Sequence, residues 1–369
     1  SVITAGRGVR LDAGIRLVSP GNISTMVASV GEADVIKFIQ TLPGISTGAE
    51  GSSAFYARGG NLGSNLQTLD GVPVYGNTHM LGMTTVYSQD IVSSAQFQIG
   101  GFTSEEGNLT SSHIKITTSD GDFNTLKAKV SASNFMVGAM VSAPLIKDKL
   151  SVLSSTRISP LGFELSAVKG LTPAMDSISN ISSAIYDLFV KFSYKASDRH
   201  MVYVSGFNSM DSYGYSYGRT SDDRMRWSNT IITLSDRLTL RRDWTLFSQI
   251  SHNRFSNYQG MRKILSASEN DMAVQSYIDE TIGNLTLSGR MFKELDYQGG
   301  VKLRYASFAP ASTGFYSKSV ISPVDKSVSK DIVESWLTMI HSQIEWKKED
   351  RYDIRLSGRL NKYSSTRLS

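Results

Sequence analysis

The chain has 369 residues, with 31 glycines, 8 prolines, no cysteine and a formal net charge of +5. Without cysteine, disulfide frameworks, thiolate zinc sites and cysteine nucleophiles are excluded. Opposite charges are interspersed, with no run of five or six lysines or arginines, which argues against a nucleic-acid partner. No stretch approaches the roughly 18 apolar residues of a membrane-spanning helix, so any bilayer contact is made by strands.

In chain order, the N-terminal "SVITAGRGVRL" lacks a signal-peptide pattern, so the chain reads as cytoplasmic, already processed or a fragment. "SVGEADVIKFIQTLPG" predicts a helix over 29–42. Ser29 and Glu32 have capping-box spacing, Val35, Ile36, Phe38, Ile39 and Leu42 keep helical period, and Pro43-Gly44 stops it. The short strands "AFYAR", "LQTLD", "VPVY", "AQFQI" and "HIKITT" follow between Gly, Ser and Asn clusters, predicting a compact α+β domain. Composition then shifts near Asp120. Residues 1–121 hold 6 Lys/Arg against 9 Asp/Glu and 3 of the 16 tyrosines, so the basic, aromatic material lies beyond. A boundary at 121 follows.

Beyond it, "IYDLFVKFSYK" places Tyr186, Leu188, Val190, Phe192 and Tyr194 on one strand face, opposite Asp187, Lys191, Ser193 and Lys195. "WLTMIHSQIEW" separates Trp336, Thr338, Ile340, Ser342, Ile344 and Trp346 from Met339, His341, Gln343 and Glu345, and "DIRLSGRL" repeats the pattern. Ten-residue strands with an apolar face and aromatic ends suit a transmembrane β-barrel, in which every backbone group is paired within lipid. A soluble antiparallel sandwich with one wet face fits the same alternation. About ten or eleven such strands are predicted, with 160–183 and 310–333 as loops.

Enzyme chemistry finds no support. "RGGNLGSN" has neither G-x-G-x-x-G nor P-loop spacing, and no G-x-S-x-G elbow occurs. Two S-x-x-K matches, at 166–169 and 327–330, lack companion elements, and His79, His113, His200, His252 and His341 are scattered without metal-ligand spacing. Arg58 and Asp70 read as a charge pair closing a turn, and Gly71 as the tight-turn residue after Asp70.

"TLPGIS", "SSAFYARGG", "LQTLDGVPVYG" and "SAQFQIGGFTSEEG", in this order, resemble the plug domain of TonB-dependent outer-membrane transporters, and more narrowly the Bacteroidetes group. The resemblance continues into "SAPLIKDKLSVLSSTRIS" and later strands. It implies a mainly β protein: an antiparallel transmembrane barrel with an N-terminal α+β plug. The family's barrel has 22 strands, of which this chain would supply about half, as an N-terminal fragment. The division is an N-terminal segment over 1–20, a plug over 21–121 and the first part of the barrel over 122–369.

The implied function is TonB-dependent import of a scarce solute (glycan, peptide, siderophore or cobalamin) across the bacterial outer membrane, without catalysis, metal or cofactor. The alternative is a ligand-sensing or surface-interaction receptor on the same scaffold. The implied partners are TonB of the TonB-ExbB-ExbD complex, outer-membrane lipid, the solute and, for a glycan, a surface lipoprotein. Carried over by position, Val2, Ile3, Thr4 and Ala5 would contact TonB. Arg58, Gly59, Asp70 and Gly71 match the plug's structural and gating turns. Apical loops at 48–53, 60–65 and 75–83 would offer Glu50, Asn61, Asn65, Tyr75, Asn77, His79 and Met80 to the ligand. "SEEG" departs from the family's small, glycine-rich continuation.

Overall fold

A computed structural model describes residues 15–18, 34–48, 52–100, 102–107, 111–171, 178–218, 220–241, 243–265, 268–319, 324–327, 332–348 and 352–368. The first elements are β1 (Ile15–Val18), α1 (Val35–Gln40), β2 (Ile45–Thr47), β3 (Phe55–Ala57), β4 (Asn65–Leu69), β5 (Val72–Pro73), β6 (Thr78–His79), β7 (Thr84–Thr85), β8 (Val92–Gln98) and β9 (Ser112–Thr118). They build the plug around a five-stranded sheet of order β1-β8-β9-β4-β5, in which β4 and β9 run parallel. β1 falls in the segment that a division at residue 20 leaves outside, yet it pairs with β8.

The helix is shorter than its periodicity predicts. Its N-cap is Asp34, which accepts hydrogen bonds from the backbone N–H of Ile36 (2.7 Å) and Lys37 (3.3 Å), while Ser29 and Glu32 lie outside the described residues. Asp34 also accepts from the backbone N–H of Thr85 (2.9 Å), so one buried carboxylate caps α1 and ties it to β7. Val35, Ile36 and Ile39 are buried against Phe55, Phe97, Ile114 and Ile116 in the plug core.

Arg58-Gly59 and Asp70-Gly71 each have positive φ at both residues (48° and 76°; 47° and 85°). Two consecutive left-handed residues make a type I′ turn, whose twist matches that of paired strands. Asp70-Gly71 accordingly joins β4 to β5, with Leu69 opposite Val72. The expected Arg58–Asp70 pair does not form. Arg58 is exposed on its own turn, whereas Asp70 accepts from the backbone N–H (2.8 Å) and Oγ1 (2.5 Å) of Thr118.

The remaining chain is a wall: β10 (Lys127–Ala132), β11 (Val137–Ile146), β12 (Leu150–Ile158), α2 (Leu161–Leu171), β13 (Ile178–Ser197), β14 (His200–Tyr217), β15 (Ser221–Arg241), β16 (Trp244–Leu265), β17 (Ser268–Phe292), β18 (Leu295–Ser319), β19 (Val324–Ser327), β20 (Ile332–Lys348) and β21 (Tyr352–Leu368). Neighbours pair antiparallel in chain order, with β18 joined to β20 and β19 lying along β18. The predicted alternation holds. Leu188 and Phe192 are 42% and 40% exposed on the outer face, while Asp187, Phe189, Lys191 and Ser193 are buried beneath the plug. Trp336 and Ile340 likewise face out, while Met339 and His341 face in.

The outer face decides between sandwich and membrane wall. Ile232, Ile250, Leu285, Leu303, Ile340 and Leu356 form an exposed apolar stripe across successive strands, far beyond what a water-soluble surface carries. On β20 the stripe runs from Trp346 to Trp336. Ten steps of about 3.4 Å, tilted by about 40°, give a height of about 26 Å, close to the roughly 25 Å band of an outer-membrane barrel. Tilted aromatic pairs mark both borders: Trp244 with Tyr297 (6.0 Å) and Tyr305 with Trp336 (4.8 Å).

The strands are much longer than the ten residues predicted, reaching 25 in β17 and β18. They also replace much of both predicted loops. The 160–183 segment holds α2 and the start of β13, and β18 runs to Ser319 with β20 resuming at Ile332. Polar residues do not end a strand whose backbone stays paired, so the sheet continues past the apolar band. One rim has only short turns, such as 198–199 and 293–294, and the other carries the longer connections, which in such barrels face the exterior.

Candidate functional site

The chemistry of this chain concentrates where the plug meets the wall, along residues 70–80. Inward side chains at successive heights grip backbone carbonyls of that segment. Gln249 Nε2 donates to Asp70 (2.9 Å), Asn253 Nδ2 to Pro73 (2.8 Å), Asn229 Nδ2 to Gly76 (3.1 Å) and Trp227 Nε1 to Thr78 (3.3 Å). Short β5 and β6 leave these carbonyls unpaired within the plug, and the wall supplies the donors that a buried backbone requires.

At the end of this ladder lies a buried charge cluster. His79 is fully buried between two wall carboxylates, its Nδ1 on Asp211 and its Nε2 3.3 Å from Asp187. Arg157 Nη2 lies 2.8 Å from Asp187 and donates to the Thr85 carbonyl (2.8 Å). Asp211 also accepts from the Met80 N–H (2.8 Å) and the Tyr213 hydroxyl (2.9 Å). With the imidazole protonated, two cations balance two anions. Burial opposes that charge, but hydrogen bonds to Asp187 and Asp211 outweigh it and raise the His79 pKa above its ordinary value.

A pH dependence follows from this sign. The folded-state pKa lies above the unfolded value of about 6.5, so the stabilisation is complete below about pH 6.5 and is lost as pH rises through the folded value. Thermal melting of the detergent-solubilised protein is expected to show plug stability falling on the alkaline side in wild type, with this component absent from His79→Leu. Parallel pH profiles would refute the assignment.

A second network lies on β16–β18. Glu280 is fully buried and pairs with Arg304 Nη2 at 2.6 Å. It also accepts from Asn253 Nδ2 (2.9 Å) and the Tyr75 hydroxyl (3.2 Å), and Arg304 Nη2 donates to Tyr75 Oη (3.1 Å). Burial, followed by the Glu280 charge, raises the Tyr75 pKa and keeps the phenol protonated as a donor. Between plug and wall, a cavity of about 920 Å³ is lined by charges of both signs, among them Asp70, Glu106, Lys115, Lys191, Lys302 and Arg304. Burial works against the charge of Glu106, but His113 (3.3 Å) and Lys115 prevail and hold its carboxyl down at about 2.

No family model and no curated protein matches the sequence. Solved structures do. FpvA of P. aeruginosa, bound to heterologous pyoverdines, superposes with a TM-score of 0.68 at 13% identity, over 98% of this chain and 53% of that one. The ferric yersiniabactin uptake receptor FyuA of Yersinia pestis gives 0.65 at 12%, over 97% and 62%. The copper transporter OprC gives 0.67 at 14%, over 96% and 55%. The fold is that of the TonB-dependent outer-membrane receptors. The chain spans between about half and three-fifths of these receptors' lengths.

Within this receptor fold, the residues expected at the ligand are divided. His79 and Met80 are buried in the plug–wall interface, and the Tyr75 hydroxyl is held by Glu280 and Arg304, so these three do not offer themselves to a ligand from outside. They face inward because β6 and the following 3-10 turn bring them against Asp211, Asp187 and β17. Asn65 is a brace inside the plug, donating to the Phe55 carbonyl (2.9 Å) and accepting from Ser112 Oγ (2.7 Å). Asn61 is exposed and Asn77 half-buried. Glu50 and Val2, Ile3, Thr4 and Ala5 lie outside the described residues.

The 75–83 loop lies between the other two predicted apical loops. The 75–83 loop meets the 48–53 segment where Ser53 N–H donates to the Gly82 carbonyl, and its start, Tyr75–Asn77, borders the cavity together with Gly63–Asn65. At its crest Leu81 and Met83 are exposed. Arg157, Asp187, Asp211, Glu280 and Arg304 belong to no sequence motif that marks a site. The available signal was charge on the inward face of an alternating strand, as at Asp187 and Lys191.

Proposed function

We propose that this chain supplies the plug and adjoining wall of a TonB-dependent importer that carries a scarce solute across the bacterial outer membrane. In this reading the plug spans Ile15 to about residue 121, the wall follows from 122, and Val2, Ile3, Thr4 and Ala5 meet TonB. Arg58-Gly59 and Asp70-Gly71 are the turns that let the plug rearrange as short hinged pieces. Asn61 and Asn77 remain the ligand-contact candidates of the described apical loops. FpvA, FyuA and OprC are named for pyoverdine, ferric yersiniabactin and copper, so the solute class here stays open among glycans, peptides, siderophores and cobalamin.

The observation that carries this reading is the uneven grip of wall on plug. Leu153, Phe189, Phe207 and Ile231 join the plug's apolar core on β12–β15, whereas β16–β18 hold it mainly by polar contacts around the 920 Å³ cavity, with the Phe255 ring against Tyr75 (6.1 Å). Polar contacts are exchanged for water at little net cost, while apolar burial is not, so the contacts on β12–β15 limit release of the plug, and a covalent link there would hold it in place. Ser88 of the plug and Ser155 of β12 place their hydroxyls 3.3 Å apart, and the chain is free of cysteine. In cells expressing the intact receptor, Ser88→Cys with Ser155→Cys is expected to stop uptake of its solute when oxidised and to regain it on reduction. Undiminished uptake with the disulfide formed would sink the gating reading.

A further inference from the structure

The two acids of "SEEG" point in different directions. The Glu106 carboxylate is held on the plug by His113 and Lys115 of β9, whereas the Glu105 carboxylate reaches the wall. Gln298 Nε2 donates to Glu105 Oε2 (2.7 Å) and Asn284 Nδ2 to its Oε1 (3.5 Å), while the Ser104 N–H donates to Gln343 Oε1 (3.4 Å). None of residues 102–107 belongs to the plug's apolar core, so polar contacts hold this segment on β17, β18 and β20.

Strand register shows what the segment covers. One row of paired inward residues, Asn284, Lys302 and Met339, lines the 920 Å³ cavity. Nearer the short turns, the row Ser288, Gln298 and Gln343 lines a separate hollow of about 390 Å³. The row between them, Thr286, Gly300 and His341, lines neither. Glu105 bridges this middle row, since it bonds Asn284 on one side of it and Gln298 on the other. Gly300 leaves the space open, as a Cβ there would lie 2.8 Å from His341 Nε2. The His341 ring is 2% exposed, and neither of its nitrogens has a hydrogen-bond partner among the described residues. Water or solute entering the row would remove that cost.

A load on the N-terminal segment has a route to this point. β1 pairs antiparallel with β8, which sets Ile15 opposite Gln98. A pull applied on the N-terminal side of Ile15 therefore falls first on Gln98, six residues before Ser104.

We propose that Glu105 and His341 form an inner door between the cavity and the smaller hollow, opened when residues 104–106 are drawn off β17, β18 and β20. The door rests on the importer reading and adds a second barrier in series. Release of the plug from β12–β15 admits solute to the cavity, and the door lets it out toward the short-turn rim. Lys302 on one side of it, with Arg290 and Asp296 on the other, suits a polar, hydrated solute.

Because the chain has no cysteine, a single introduced thiol reports exposure. The test holds the intact receptor in nanodiscs, tethered by its N-terminal segment under a magnetic load, in a sulfonated fluorescent maleimide. Thr286→Cys is expected to react about 10-fold faster under a load that leaves Ser193→Cys, buried beneath the plug on β13, unreactive. Without load, adding Glu105→Ala should speed labelling of Thr286→Cys about 10-fold, and adding Lys195→Gln at the short-turn rim should not change it. Equal acceleration at both cysteines, or a Thr286→Cys rate that neither load nor Glu105→Ala alters, overturns the door. Undiminished uptake with the Ser88→Cys/Ser155→Cys disulfide formed would instead refute the gating reading on which the door rests, whatever the labelling shows.

Discussion

His79→Leu loosens the plug from the wall by about 3–5 kcal/mol, because it removes the cation between two buried carboxylates and leaves Asp211 without a counter-charge. Asp187 keeps Arg157, so the loss falls mainly on Asp211, Met80 and the Tyr213 hydroxyl. Amide exchange of the hydrogen-bonded N–H groups at Met80 and Thr85 should accelerate on the order of 10²–10⁴-fold where local opening governs it. Adding Asp211→Asn to His79→Leu should recover part of the loss, since a neutral amide tolerates burial better than a lone carboxylate. Strict additivity of the two substitutions, or unchanged exchange in the single variant, would show that the contact carries no such energy.

Glu280→Leu acts on the other side of the plug and is expected to cost less, about 1–3 kcal/mol, because it removes the partner of Arg304, whose side chain is 36% exposed, and frees the Tyr75 hydroxyl. Glu280→Gln separates the contributions. It keeps an acceptor for Asn253 and Tyr75 but loses the charge that meets Arg304, so it should fall between wild type and Glu280→Leu. The readout is exchange at Val74, whose N–H bonds the Gln67 carbonyl beside this network, together with the thermal midpoint. The His79 and Glu280 networks share no side chain, so their effects should add to within about 0.5 kcal/mol. A wild-type midpoint in Glu280→Leu would mean that water already satisfies Arg304.

Much of the fold is legible from the chain because its causes are local. Leu188 and Asp187, or Ile340 and His341, point to opposite faces in any strand, and an apolar face with aromatic ends has few other uses. Asp-Gly and Arg-Gly between apolar runs mark type I′ turns by the positive φ they permit. Strand length is less legible. Residues 310–319 carry no apolar stripe, yet they stay in β18 because pairing with β17 satisfies their backbone.

The site is another matter. His79 meets Asp187 and Asp211 across 108 and 132 residues, and Tyr75 meets Glu280 across 205. No spacing rule reaches that far, which is why His79 reads in sequence as a scattered histidine on a loop. The sequence by itself determined the strand faces, the turns and the apolar band, since each depends on neighbours two to four residues away. Only the tertiary structure decided which inward charges meet. Insertion of the plug sets its carbonyls and His79 against particular rungs of the wall, and in that low-dielectric gap an unpaired charge is too costly to keep.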